Sequence, residues 1–579
     1  MTKVWAPAAE SVELVVEGKS YALRQDVEGW WQGDQALQAG SDYQFRVAGE
    51  MLPDPRSPWQ PSGVHGASRH VDHSLFPWTD DGWQAKPLAS AIIYELHIGT
   101  FTPEGTFDSA VERLDHLVQL GVNYVELMPV AEFLGDHGWG YDGVFPYAPH
   151  HAYGGPDGLK RLVDACHAKG LAVLLDVVYN HLGPSGNYLP KFGPYFSDRH
   201  STPWGSALNF DGPDSDEVRR FFCENALMWL RDYHFDGLRL DAVHAIVDTS
   251  AIHFLEELAT DVDELKVRLG RHLVLIAESD LNDPRIVRSW EVGGFGLDAQ
   301  WSDDIHHALH TVLTGERGGY YADFGELADL ATAMTRPYVY AGRYSQHRRR
   351  RHGRPPTNLI ASRFVAYLQN HDQLGNRAQG DRVCHLVNAD KAKIGAALAL
   401  LSPYVPMLFQ GEEWSATAPF QYFVDFGAEP ELARAVVKGR HSEFASFGWK
   451  PEDVPDPTER TTFLRSKLNW QELADPQHAE MVTWYRTLIE LRRRVAAFTT
   501  ARLDCITTEC SEEEQWLRIE SGPVTIVCNF AAVPRDVPLS RDGDYCLLLA
   551  SKTPGKPGNA TIALPAESVA VFGLKAACD

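Results

Sequence analysis

The sequence predicts an α/β fold: a closed (β/α)8 barrel of the TIM type, with one β-sandwich before it and a second after it. From about residue 92 to residue 410, eight short apolar segments alternate with amphipathic segments of helical period. Eight such units point to a closed barrel rather than an open sheet. Several of the apolar segments are near-continuous Val/Leu/Ile runs, as parallel strands covered on both sides require. Outside this region the pattern switches to short strands broken by Gly-, Asp- and Gln-rich turns. At 579 residues the chain is too long for one core, and domains are expected over residues 1–86, 87–498 and 499–579.

In the first region, Val12–Val16 and Tyr43–Val47 are strand-like, and an immunoglobulin-like sandwich of the carbohydrate-binding-module kind is expected. Its tryptophans, Trp5, Trp30, Trp31 and Trp59, are expected in the core, with a sugar-stacking platform as the functional alternative. The Pro-rich stretch Leu52–Pro58 reads as an extended linker or loop. The barrel strands are expected at Ile92–Ile98, Tyr124–Val130, Leu171–Val178, Gly237–Ala242, Leu273–Glu278, Phe295–Trp301, Phe364–Asn370 and Tyr404–Gln410. Helices are expected at Phe107–Leu120, Leu159–Lys169, Asp216–His234, Ile252–Leu269, Asp304–Leu313 and Lys391–Leu401, and Ala479–Arg494 closes the barrel. A Gly/Pro/aromatic loop over about Leu182–Asp214 is long enough to be functional. The last region shows strands at Gln515–Ile519, Val524–Phe530, Tyr545–Leu549 and Val569–Phe572.

Net charge is −25, from 53 basic and 78 acidic residues. That argues against nucleic acid and anionic membranes as partners and suits a neutral substrate. The basic cluster Arg343 and Arg348–Arg351 is read as a solvated loop salt-bridged to acidic neighbours. Eight cysteines show no Cys-x-x-Cys spacing, so neither zinc nor redox chemistry is indicated. With no apolar run long enough to span a bilayer, a reduced, cytoplasmic protein is expected.

In a barrel of this kind the reactive groups stand at the C-terminal ends of the strands. There the sequence offers Asp176 to His181, then Arg239 and Asp241, then Glu278, then His371 and Asp372. Any single acid at a strand end could be a helix cap; consecutive strands ending this way make caps alone improbable. Arg239 and Asp241 are two apart on a strand and emerge on one face, where the guanidinium favours an ionised carboxylate. Retaining glycoside hydrolysis needs a nucleophilic carboxylate and a carboxylic acid about 5–5.5 Å apart. Adjacent strands are about 4.7–4.9 Å apart, so the fourth and fifth can supply that pair. Asp241 is the expected nucleophile and Glu278 the acid/base, its pKa raised by desolvation. Asp372 would bind sugar hydroxyls, with His181 and His371 in the same subsite, and Asp176 would orient. No metal-ligand motif such as His-Glu-x-x-His occurs, so neither a metal nor a cofactor is expected.

At these residues the chain resembles the α-amylase family of glycoside hydrolases, carrying its four short regions in order: Asp176–His181, Gly237–Asp241, Ala277-Glu278 and Asn370–Asp372. Gly138-Trp139-Gly140-Tyr141-Asp142-Gly143 is similar to the family segment that sets a tyrosine against the sugar ring, which implies that role for Tyr141. Longer stretches, Asp241–Ser250, Ala277–Arg285, Asp298–His307, Thr314–Arg317 and Asn370–Arg377, resemble a hydrolase branch of that family acting on maltooligosyl trehalose. By that resemblance the substrate is this or a related α-glucan. His244, Asp303, Asp304, His306, Gln373 and Asn376 would line the groove, with Arg239 among the binding residues. A branching-type α-glucan transferase shares the three acids and is the alternative enzyme. A non-catalytic glycan-binding protein would predict a broken triad, and all three acids are present.

Overall fold

The computed structural model describes residues 2–574 apart from 428, 446–448, 541–543 and 557–560. All eight expected strands are present: β1 Ile93–Leu96, β2 Tyr124–Leu127, β3 Ala172–Val177, β4 Gly237–Leu240, β5 Val274–Ala277, β6 Ala299–Trp301, β7 Phe364–Tyr367 and β8 Val405–Phe409. They pair in parallel in chain order and close through Met407↔Ile93, Leu408↔Tyr94 and Phe409↔Glu95. Each is shorter than the apolar run that announces it; in β6 the first residues of the run, and in the others residues at its end, lie outside the ladder.

Side-chain alternation divides the barrel into two buried layers. Ile93, Tyr124, Leu174, Ile276, Trp301, Val365, Tyr367 and Met407 form one interior cluster. The residues between them, among them Tyr94, Val125, Val173, Leu238 and Leu275, join the larger cluster shared with the surrounding helices. Burial on both sides is why these strands read as continuous apolar runs. The same parity brings Glu95, Glu126, Asp176 and Arg239 inside, above the aliphatic layer.

Several local expectations are corrected. Phe107–Leu120 is two helices, Phe107–Val111 and Leu114–Leu120, because Arg113 N–H bonds to Ala110 O only three residues back. The Pro-rich stretch is no free linker. Leu52, Pro53, Asp54 and Pro55 are buried, Tyr43 donates to Asp54 (2.7 Å), and Arg56 Nη1 donates to Tyr147 Oη (2.8 Å) beside the barrel. The long loop carries a helical turn, Leu189–Phe192, and a hairpin, Phe196–Thr202 with Gly205–Leu208. Trp5, Trp30 and Trp31 are core residues, so they offer no sugar platform. Cys546 is disulfide-bonded, against the expectation of an entirely reduced chain.

Two antiparallel sheets precede the barrel. After it, Ile506–Ser511, Trp516–Ser521, Val524–Asn529, Ser568–Leu574 and Tyr545–Ala550 form one sheet, faced by the pair Arg535–Pro538 and Thr561–Leu564. The polar strands Ile506–Ser511 and Arg535–Pro538 and the short Thr561–Leu564 were not legible in the sequence. As predicted for the basic cluster, Arg343 pairs with Asp329 (2.9 Å) and Arg348 with Asp280 (3.2 Å). Among the described residues no helix is long and apolar enough to cross a membrane.

Candidate active site

β4 and β5 pair with Leu240 opposite Ala277, so Asp241 and Glu278 are the next residues on adjacent parallel strands. The pairing continues past the strand ends: Glu278 N–H donates to Leu240 O and Val243 N–H to Glu278 O, both at 3.0 Å. Two residues before Asp241, Arg239 is fully buried and its guanidinium lies 4.2 Å over the Trp301 ring. Its Nη1 donates to Asp241 Oδ1 (2.9 Å) and Asp176 Oδ2 (2.7 Å). Its Nη2 lies 2.9 Å from Glu278 Oε2. One cation therefore touches both acids, and the planar fork of Arg makes that possible where the point charge of Lys would not.

The two carboxyls have different surroundings. Asn180 Nδ2 donates to Asp241 Oδ2 at 2.6 Å, so both oxygens of Asp241 are held by donors, as suits a carboxylate. Glu278 accepts the Ala242 N–H at 2.8 Å. That amide is aimed by a left-handed Ala242, φ +38°, a strained conformation that a Cβ disfavours and that the strand-end packing must hold. Burial pushes the Glu278 carboxyl up, Arg239 pulls it down and Asp241 pushes it up, for a net raised pKa. A raised carboxyl beside a donor-held carboxylate is the arrangement that separates an acid from a nucleophile. Because the acid must be protonated to act, the basic limb of the kcat/KM profile is expected above the ordinary glutamate range. Glu278→Gln should abolish turnover. A basic limb at the ordinary carboxylic value would remove Glu278 from the acid role.

Asp372 is the second residue of the helix His371–Gly375, capped by Asn370, whose Oδ1 accepts the N–H groups of Asp372 and Gln373. Its carboxylate is one-third exposed and 3.5 Å from His371 Nε2. Tyr141 stacks on His371, donates to Asp176 Oδ2 (2.6 Å) and sits 2.8 Å from His371 Nε2. It is placed by Gly140, φ +100°, where any Cβ would come 2.2 Å from Pro129 O. His181 bonds Asn180 and the Tyr141 carbonyl and stacks on the exposed Trp204 of the hairpin. Burial lowers its pKa, so the ring is neutral at pH 7. Asp303 hydrogen-bonds Tyr367. Burial, joined by Glu278, Asp280 and Asp372, outweighs the hydrogen bond from Tyr367 and raises its pKa to about 7. The structure thus gathers Tyr141, His181, Asp241, Glu278, Asp303 and Asp372 on one face.

Other expected binding residues have partners within the protein. Arg239 and His371 are buried. His371 bonds Glu95 through its Nδ1 and its backbone N–H. Burial opposes its charge, but Asp372 and Glu95 raise it to about 9, so it is a cation at neutral pH. Asp304 is buried, and its Oδ2 accepts from Asn282 Nδ2 (3.0 Å) and Tyr340 N (2.8 Å). His306 is fully buried between Leu368 O (2.7 Å) and Tyr321 Oη (2.9 Å). Neither of these two reaches the groove, since the Asp303–Thr314 helix turns them inward. Gln373 caps its helix through Asn370 N–H (2.9 Å), and Asn376 accepts from Arg440 (3.2 Å). His244 is exposed at the rim, 4.0 Å from Asp280.

One His/carboxylate cluster among the described residues, Glu132 with His150 and His151, has ligand atoms within 4.8 Å of one another. Both Glu132 oxygens already accept hydrogen bonds from His151, ring (2.7 Å) and backbone (2.8 Å). Glu95, Glu126, Asn180 and Ala242 are site residues that the sequence pattern does not single out. For the two glutamates a signal was nonetheless present: an acid in the middle of an apolar strand that is covered on both faces.

An eight-stranded parallel barrel with carboxylates gathered at its strand ends defines this chain as an α-amylase-family glycosidase, and the Alpha amylase catalytic-domain family model matches residues 73–198. The chain is 50% identical over 577 residues to a malto-oligosyltrehalose trehalohydrolase of Mycobacterium tuberculosis, covering 98% of each. It is 52% identical over 542 residues to that of Arthrobacter ramosus, covering 92% of this chain and 93% of the relative. A solved structure from Salmonella typhimurium, described as an alpha amylase, superposes with a TM-score of 0.90 at 38% identity, over 99% of this chain and 97% of that one. The chain belongs to the malto-oligosyltrehalose trehalohydrolase family.

Proposed function

We propose that this protein hydrolyses, with retention, the α-1,4-glucosidic bond next to the terminal trehalose of maltooligosyl trehalose, releasing trehalose and a maltooligosaccharide. The observation that carries the chemistry is the single Arg239 guanidinium touching Asp241 and Glu278 on register-matched strand ends. The substrate rests on the relatives' activity.

In the first step Asp241 attacks the anomeric carbon, the bond to the glycosidic oxygen breaks, and the Glu278 proton goes to that oxygen as trehalose leaves. In the second, Glu278 takes a proton from water, the hydroxyl oxygen attacks the same carbon, and the Asp241 carboxylate departs. Asp372, one-third exposed beside the charged His371, accepts hydrogen bonds from sugar hydroxyls, which strengthen as oxocarbenium charge develops. Tyr141 stands where a ring would pack.

Incubation with maltotriosyl trehalose tests the reading. Free trehalose and maltotriose are the expected products. New α-1,6 branches would mean that a sugar hydroxyl, not water, resolves the intermediate, and the chain would be a transferase.

A further inference from the structure

Beneath the proposed catalytic acids lies a polar level of the barrel that the reaction above does not use. Glu126 projects inward from the middle of β2, opposite Glu95 on β1 and Leu174 on β3. It is fully buried, and neither of its carboxyl oxygens has a hydrogen-bond partner. Four further buried polar atoms lack a hydrogen bond: Oδ1 of Asp176, Nε and Nη2 of Arg239 and Nε1 of Trp301, Nη2 keeping only its ion pair with Glu278. These belong to the groups that carry the site, since Arg239 lies over Trp301 and donates to Asp176. Leaving so many polar atoms unsatisfied in one place is costly, because each has lost its water without gaining a partner. Native cores answer that cost with ordered water where several polar groups converge.

We propose that Glu126 is a positioning residue for the reaction: it stands as a neutral carboxylic acid under the site and, through ordered water, joins Nε of Arg239 to Oδ1 of Asp176. It thereby fixes the guanidinium on which Asp241 and Glu278 are aligned. The charges facing Glu126 come from β1 (Glu95), β3 (Asp176), β4 (Arg239) and the helix after β7 (His371). Both cations are already committed, Arg239 to Asp176, Asp241 and Glu278 and His371 to Glu95. An ionised Glu126 would be a buried anion without a counter-charge. Burial first, then Glu95, raise its pKa well above the ordinary value. As an acid it has what the site lacks: an O–H to give toward Asp176 and a carbonyl oxygen to receive from Arg239.

This rests on Asp241 and Glu278 having the roles proposed above, and the test separates the two. Glu126→Gln keeps size, neutrality, one donor and one acceptor; Glu126→Met keeps length and removes both. Glu126→Gln is expected to hold kcat within about threefold with an unchanged pH profile. Glu126→Met is expected to lose roughly 10- to 100-fold in kcat, the scale of a slightly misplaced catalytic group, with KM little changed and the basic limb displaced. A Glu126→Met enzyme with wild-type kcat and profile overturns the proposal. So does a Glu126→Gln enzyme as impaired as the Met variant, since the site would then need an anion. Should the Met variant not fold, infrared difference spectra of wild type and Glu126→Gln at neutral pH decide. A protonated-carboxyl band lost in the Gln variant supports the neutral acid, and its absence from the wild type overturns it. That spectrum needs no substrate, so a wild type that fails to cleave maltotriosyl trehalose refutes the proposed reaction and leaves the state of Glu126 independently measured.

Discussion

Replacing Asp241 with Asn lowers kcat on maltotriosyl trehalose by about 10^4-fold or more, the scale on which loss of a covalent nucleophile acts. The amide has nearly the same shape but cannot form the glycosyl ester, and its NH2 would meet a donor, Asn180 Nδ2 or Arg239 Nη1, at one of the two positions where the carboxylate accepts. The residue is 8% exposed, so the misfit is local and the fold survives, which circular dichroism and an unchanged elution volume would verify. KM should move far less than kcat, because attack on the anomeric carbon is realised only in the transition state. Turnover within tenfold of wild type in the purified variant would assign the nucleophile elsewhere.

Arg239→Met is expected to abolish activity and also to destabilise the barrel by about 3–5 kcal/mol, the usual result of deleting one partner of a buried ionic group. Arg239 is fully buried and lies within 2.9 Å of three carboxyls, those of Asp176, Asp241 and Glu278. Met fills much of the same space over Trp301 but leaves three buried acids around no cation. The deficit has a sign in pH. Burial, opposed by Arg239, already raises Asp176 to about 7, so the folded state holds a proton that the unfolded chain releases. A group raised in this way loses stability as pH rises from its unfolded value through its folded one. Removing Arg239 raises it further, so the Tm deficit against wild type should be larger at pH 8 than at pH 5. Equal Tm values at pH 8 would show that the guanidinium does not hold these acids.

Much of the fold could be read in advance because burial on two faces writes itself into a sequence. Residues 172–177 read Ala-Val-Leu-Leu-Asp-Val, a run that only a strand covered inside and out explains, and the eight runs came in the order in which the barrel closes. The candidate acids were legible for a related reason: Asp241 and Glu278 stand at the very end of such runs and Asp372 a few residues beyond one, and a barrel brings strand ends together. Strands that lack this signature, such as the polar Ile506–Ser511, were missed. The exact extent of helices was missed too, as at Phe107–Leu120, where a bond from Arg113 N–H to Ala110 O three residues back divides the run in two.

The roles of individual side chains at the site were a different matter. Arg239 and Asp241 sharing a face followed from the two-residue period of a strand, and the acids' proximity followed from strand spacing. Whether a polar residue touches substrate or supports the residues that do is set by which way its backbone turns after the strand ends. Asp303 and Asp304 are neighbours in the chain, yet one reaches Tyr367 inside the barrel and the other is tied to Asn282 and Tyr340. His371 and Asp372 divide in the same way, one a buried cation and the other partly open to solvent. The sequence by itself determined the barrel, its order and the acids at its mouth, because hydrophobic periodicity is local and repeats along the chain. Only the tertiary structure decided which polar groups face the groove and which hold others in place, because hydrogen-bond partners such as Glu95 and His371 lie 276 residues apart and nothing local links them.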